Sequence, residues 1–276
     1  MNYFDLPLED FTNDFVDNWL LPNTAGFFDR ISDILRSFID MVTSFLLFIP
    51  PEVIVIAVIL VSWKASGKGL ALFALLGGFY LGAVELWAES MQTVAIVIVS
   101  TLISVAIGIP VGILTALNKT AERIVRPILD FMQTLPSFVY LIPAILLFGL
   151  GSVPAVIATF VFATPPVVRM TSLGIKQAPE DVIEASRAFG STKWQLLAKV
   201  QFPLAVPTIM AGVNQTMMLA LSMAVIASMI GAPGLGDTVL TGISTVNVGL
   251  GLTGGLAIVV LAIILDRITQ SIGTKS

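Results

Sequence analysis

Seven apolar stretches, at roughly 49–63, 69–87, 91–117, 135–150, 153–168, 204–230 and 252–270, alternate with short polar segments along most of the chain. A hydrocarbon core about 30 Å thick takes about 20 helical residues to cross, so the longer stretches predict membrane-spanning α-helices. The first, fourth and fifth are short or interrupted by Pro50, Pro51, Pro143, Pro154, Pro165 and Pro166, and about seven spans are expected. Ahead of them the pattern changes. Phe28, Ile31, Ile34, Leu35, Phe38, Met41, Val42 and Phe45 recur at spacings of three and four, with Asp29, Arg30, Asp33, Arg36 and Asp40 between them. That is an amphipathic helix expected to lie in the membrane interface, either as a scaffold bracing the spans or as a flexible anchor. The expected class is an all-α integral membrane protein, with an acidic segment and amphipathic helix over 1–48 and a membrane domain over 49–276.

Composition agrees with the pattern. The 276 residues are 56% hydrophobic and only 12% charged, where soluble domains carry about 25% charge. No soluble stretch is long enough for an appended enzyme domain. There is no cysteine and no histidine, which removes zinc sites, histidine proton relays and the usual base of a catalytic triad. No catalytic residue and no metal site are expected, and nothing suggests a nucleic-acid partner.

The net charge of −4 averages two unequal sides. Residues 1–48 hold eight of the eighteen acids, from Asp5 to Asp40, and no basic region precedes the first apolar stretch, so a cleavable signal peptide is not expected. Twelve of the fourteen bases (Lys64, Lys68, Lys119, Arg123, Arg126, Arg169, Lys176, Arg187, Lys193, Lys199, Arg267 and Lys275) fall in or beside alternate connections. The other connections hold Glu85, Glu89 and Asp237. Cytoplasmic loops retain lysine and arginine, so seven spans place the N-terminus outside and the C-terminus in the cytoplasm of a prokaryotic plasma membrane. Trp63, Trp87 and Trp194 sit where interfacial anchors belong.

The segment 177–203 stands apart as a charged, small-residue insert on the basic side. Pro179 can start a helix, Glu180 and Asp181 complement its first turn, and Gly190 stops it. At about 15 Å such a helix cannot cross a bilayer. Ser191 or Thr192 caps a second short helix, and Pro203 marks the start of the next apolar stretch. Two short helices about a glycine bend are therefore expected along the membrane surface. Ala185 and Ser186 keep one face low enough for another protein to close over, and Glu184 offers a charged anchor. An interfacial hairpin with no partner is the plainer alternative.

Other candidate chemistry is sparse. Ser66-Gly67-Lys68-Gly69 looks like part of a phosphate loop, but the required glycine five positions before Gly67 is Ser62, and Gly69 stands where a magnesium-binding hydroxyl belongs. Nucleotide hydrolysis by this chain is not expected. The interiors of the second to sixth stretches lack Asp, Glu, Lys and Arg, which disfavours an ion-coupled carrier. Asp266-Arg267, near the inner end of the last stretch, reads as a snorkelling interfacial pair.

Asn214, Met218 and Ser222 repeat every four residues in the sixth stretch. They offer a weakly polar stripe for a translocation pathway, or else hydrogen bonds that join helices. After it, Gly231, Pro233, Gly234 and Gly236 force irregular backbone, which reads as a re-entrant gate element or an exposed loop.

The insert carries a resemblance. Glu184-Ala185-Ser186, Gly190 and Val200-Gln201-Phe202-Pro203 are similar in spacing to the permease motif Glu-Ala-Ala, three residues, Gly, nine residues, Ile-x-Leu-Pro. Together with DFMQTLPSFVYLIPAIL (130–146), ATPPVVRMTSLGIKQA (163–178) and SMIGAPGLG (228–236), the chain resembles the permease subunits of ATP-binding-cassette importers for glycine betaine and proline betaine. Ser186, Val200 and Phe202 depart from the motif within their size class.

The resemblance implies a type I importer permease fold whose coupling helix, at 180–190, is gripped by a separate pair of ATPase subunits. ATP and magnesium belong to those subunits, and no cofactor to this chain. It further implies a second, identical permease copy and an extracellular substrate-binding protein. The membrane stretches hold no cluster of Trp and Tyr for a cation–π cage, so the cage is expected on the binding protein, and betaine, proline betaine, carnitine and choline stay open. An importer for another small solute such as an amino acid, a passive channel and a secondary carrier are the alternatives.

Overall fold

In the computed structural model, residues 8–274 are described; Asp5 and Lys275 lie outside them. Every regular element among them is helical. In chain order these are α1 (Leu8–Phe15), a π turn at Val16–Leu20, α2 (Leu21–Phe48), α3 (Pro51–Ser66), α4 (Lys68–Ala83), α5 (Trp87–Leu117) and α6 (Lys119–Thr134). A 3-10 turn at Ser137–Tyr140, α7 (Leu141–Phe148), α8 (Ser152–Lys176), α9 (Glu180–Ala188), α10 (Lys193–Leu196) and a π turn at Leu197–Gln201 follow. The chain ends through α11 (Phe202–Ile226), a 3-10 turn at Ala227–Ile230, α12 (Leu235–Ser244) and α13 (Val248–Thr274).

Among the described residues four helical stretches are long and apolar enough to cross a membrane: Trp87–Leu117, Ser152–Lys176, Lys193–Ile230 and Val248–Ser271. Two bent pairs, Asp10–Phe48 with α3 at 94° and α6 with Ser137–Phe148 at 110°, bring the count to six if each pair makes one span, and α4 is a shorter apolar helix. The expected run 135–150 is therefore no separate straight span: Pro136 turns the chain out of α6 into a 3-10 turn and the two turns of α7. The expected interruption of 153–168 does not occur either. α8 runs unbroken for 25 residues through Pro165 and Pro166, because dense packing on both sides offsets the two backbone donors that proline removes.

The centre of the bundle is α8, packed between α5 and α11. Small residues set these contacts. Ser100, Ser104, Gly108 and Gly112 recur every four residues on α5 and face α8. Ser104 Oγ donates to Phe160 O at 3.3 Å and accepts from Thr164 Oγ1 at 3.2 Å. A Cβ on Gly108 would stand 2.4 Å from a Val167 methyl, and one on Gly112 2.8 Å from Val168 O. On the other side Gly212 of α11 lies under Met170, and Gly174 of α8 faces Ala205 and Thr208. Interhelical hydroxyl bonds in membranes average about 0.6 kcal/mol, so close van der Waals contact between backbones contributes more to holding the helices together.

Around this core α2 lays Leu35, Phe38, Ile39 and Val42 onto the main cluster. α3 and α4 form a hairpin about Gly67, whose φ of +86° closes a one-residue turn. The glycine of the abortive phosphate-loop motif has that conformational role. α4 then packs on α13 where Gly77 meets Val260.

Replacing Gly112 by Val tests the close approach. Overpacking against backbone costs about 1–3 kcal/mol, so the thermal unfolding midpoint of the purified protein should fall clearly, while Gly82→Ala, with nothing within 4 Å of its Cβ, should leave it in place.

Candidate functional site

The insert folds as a clamped ledge. Pro179 N-caps α9, Ile183 N–H bonds Pro179 O at 3.2 Å, and Glu180 and Asp181 occupy the first turn. At the other end Gly190 takes φ +81°, its N–H bonds Arg187 O at 2.9 Å, and Ser191 N–H bonds Ser186 O at 3.2 Å. These two bonds are a Schellman stop, which needs a left-handed residue where glycine stands. Ser186 Oγ also donates to Ser191 Oγ at 2.9 Å. Thr192, rather than Ser191, caps α10 in a capping box with Gln195.

The second short helix is not separate. α10, the π turn, α11 and the 3-10 turn form one rod from Lys193 to Ile230, about 57 Å long by helical rise. Phe202 N–H bonds Leu197 O, five residues back, and this wider turn accommodates Pro203, which lacks an N–H and whose ring would crowd the carbonyl four residues back. A small apolar cluster of Ile175, Leu197, Ala205 and Ile209 ties the end of α8 to the start of the rod.

No residue of α9 is buried. Glu184 and Ala185 are exposed and Ser186 is half-buried. Beside them Phe189 is 93% exposed and Trp194 71%. Those two rings widen the ledge beyond the residues expected from sequence; Phe189, directly before the glycine stop, was a readable signal.

The far end of the rod meets the glycine-rich element. Gly231, with φ +79°, ends the 3-10 turn, and Gly234, with φ +132°, opens α12. Leu235 N–H donates to Thr93 Oγ1 of α5 at 2.9 Å, and Thr93 Oγ1 donates to Glu89 O. A Cβ on Gly236 would stand 2.5 Å from Val225 O, so this glycine lets α12 fold back against α11. Gly234 and Gly236 are buried, while Gly231 and Pro233 are exposed. A second glycine turn, Gly149-Leu150-Gly151, joins here: Gly151 N–H donates to Ile230 O at 3.0 Å. Its Gly-x-Gly pattern was visible in the sequence.

The stripe on α11 divides. Asn214 turns toward α13, where Nδ2 donates to Asp266 Oδ1 at 2.9 Å; Gln270 Nε2 donates to the same oxygen at 2.7 Å. Asp266 is thus an interhelical acceptor, with Arg267 only at 4.0 Å. Gln215 and Ser222 share the exposed face, with Met218 half-buried between them.

Substitutions at Gly190 should separate strain from lost bonding. Gly190→Ala meets no atom within 4 Å and costs only the left-handed penalty of about 1–2 kcal/mol. Gly190→Pro cannot adopt φ +81° and loses the bond to Arg187 O. Hydrogen exchange over 186–191 should rise modestly in the first and reach free-chain rates in the second.

Comparison with known proteins places this geometry among relatives. The binding-protein-dependent transport system inner membrane components match residues 108–275. The glycine betaine transport system permease protein OpuAB of Bacillus subtilis is 49% identical over 270 residues, covering 98% of this chain and 95% of that protein. The glycine betaine/proline betaine transport system permease protein ProW of Escherichia coli is 46% identical over 271 residues, covering 98% of this chain and 76% of ProW. Among solved structures, an inward-facing MetNI methionine ABC transporter chain superimposes with a TM-score of 0.62 at 25% identity, over 67% of this chain and 92% of that one.

Proposed function

We propose, from the premise that this chain belongs to the family of binding-protein-dependent transport system inner membrane components, that it is the membrane permease of an ATP-driven importer of glycine betaine, proline betaine or a related quaternary ammonium solute. The observation that carries the coupling is α9: an exposed ledge at one end of a continuous rod whose other end holds the glycine turns. A helix with no buried residue contributes little to its own fold. It gains a role when a second protein covers it.

That second protein is a separate ATPase, present as a pair, which binds ATP and magnesium and grips Glu184, Ala185, Ser186 and Gly190 from the cytoplasm. The permease acts as two identical copies, and a binding protein delivers solute from outside. The charge asymmetry supports an N-terminus outside and a C-terminus in the cytoplasm. ATP binding closes the ATPase pair and draws the two α9 ledges together. Each ledge joins the rod through the Gly190 turn, and the rod is tied to the end of α8, so a displacement of the ledge is transmitted through Pro203 and α11 toward Gly231–Gly236, and the core turns outward to receive solute. Hydrolysis reverses the shift. ATP moves the equilibrium only by the difference in its contacts between the two states, and the ledge is where they differ. On α11 the pathway runs past Met218 and Ser222, while Asn214 holds α13 alongside.

Glu184→Lys reverses the charge of the ledge without touching the core. In proteoliposomes with the ATPase and the binding protein, ATP-dependent betaine uptake should be abolished while the permease inserts and unfolds at the wild-type temperature. Wild-type uptake by this variant would remove α9 from the mechanism, and solute accumulation by the permease alone would overturn the importer reading.

A further inference from the structure

Between α6 and α8, at the end of the bundle that carries α9, lies a groove of about 290 Å³, near the lower limit for small-molecule pockets. Its charges are in register. On α6, Glu122, Arg126 and Asp130 repeat every four residues and so share one face. On α8, Lys176 pairs with Glu122 at 2.6 Å and Arg169 with Asp130 at 2.5 Å. Opposite the central Arg126 the helix offers Ser172 and Leu173 and no acid. Arg126, Arg169 and Lys176 therefore meet two carboxylates, and Lys119 adds a further positive charge near Glu122. Among the described residues Arg126 has no ion pair within 4.0 Å; its electrostatic neighbour Glu122 is bonded to Lys176. The walls between the two ion pairs are apolar, from Val125, Leu129, Val168 and Leu173.

A guanidinium with no close ion pair, one turn from carboxylates that are bonded to other cations and walled by hydrocarbon, has a matching ligand: a small zwitterion with a carboxylate and a bulky, weakly hydrated cation. The planar fork of arginine suits the carboxylate. The methylated cation takes the apolar wall and faces Asp130 or Glu122. Both existing ion pairs are substantially exposed, and exposed pairs contribute about 0–1 kcal/mol, so a passing zwitterion can exchange with them and leave again.

We propose that this groove is a low-affinity station for the transported zwitterion on the cytoplasmic side of the permease, with Arg126 receiving its carboxylate. The proposal rests on the importer reading above and adds a site to it.

The absence of cysteine makes a direct test simple. Ser172→Cys places one thiol in the groove and Ser44→Cys, on exposed α2, serves as a control; each is labelled with N-ethylmaleimide in the reconstituted permease–ATPase complex. At a glycine betaine concentration of about three dissociation constants the free fraction, and with it the labelling rate at 172, should fall about fourfold. Choline, which lacks the carboxylate, should not protect, position 44 should not respond, and Arg126→Gln should abolish the protection. An unchanged rate with betaine, equal protection by choline, or protection that survives Arg126→Gln would overturn the site. So would protection arising from phosphatidylglycerol vesicles, relative to phosphatidylcholine alone, to which betaine adds nothing. ATP-dependent uptake by the Ser172→Cys transporter separates the two levels: uptake without protection sinks the station only, and loss of ATP dependence in the wild type sinks the importer reading.

Discussion

Everything in this bundle depends on how closely the backbones of α5, α8 and α11 approach. Water drives apolar surfaces together in soluble proteins, but lipid tails are as apolar as leucine and supply no comparable force between helices. Contact must come from packing, and packing at backbone distance requires residues with little or no side chain. Ser100, Ser104, Gly108 and Gly112 provide that on one side of α8, and Gly174 and Gly212 on the other. α8 can then hold a double proline in its middle without breaking.

The same close packing joins the helices into one continuous body. A rod of 38 residues exceeds the hydrocarbon thickness by nearly a factor of two, so one end stands in the aqueous phase beside α9. The small core of Ile175, Leu197, Ala205 and Ile209 fixes that end to α8. At the other end the two glycine turns meet through Gly151 and Ile230, and Thr93 of α5 anchors the start of α12. In the importer proposed above, these bonds at both ends and the helix between them form the route by which a push on α9 reaches the glycine turns. Asn214 and Asp266 extend the connection to α13 and, through its packing, to the α3–α4 hairpin.

Charges follow the opposite logic. Within the long spans they are almost absent, and where they cluster, on α6 and the last turns of α8, they lie toward the α9 end in a groove with hydrocarbon walls.

Local chemistry accounts for what was legible from residues alone. Apolar length marked the long spans, the Pro179 start and Gly190 stop marked α9 to within a residue, and the spacing of Glu184, Ala185, Ser186 and Pro203 marked the family, because caps, periods and motifs are encoded within a few positions. The tertiary structure decided the rest. Pro165 and Pro166 read as a break but are carried by neighbours; Pro203 marks the start of an apolar stretch and does stand in the first turn of α11, but a π turn joins that helix to α10 in one rod. Asn214 shares a four-residue period with Ser222 yet faces Asp266, since a period fixes angular spacing and not which partner stands opposite. The Gly149-Leu150-Gly151 turn is visible in the sequence, but its partner is not: Gly151 bonds Ile230 only in the folded chain. Each of these depends on contacts between residues far apart in sequence, and such contacts exist only once the helices have chosen their neighbours.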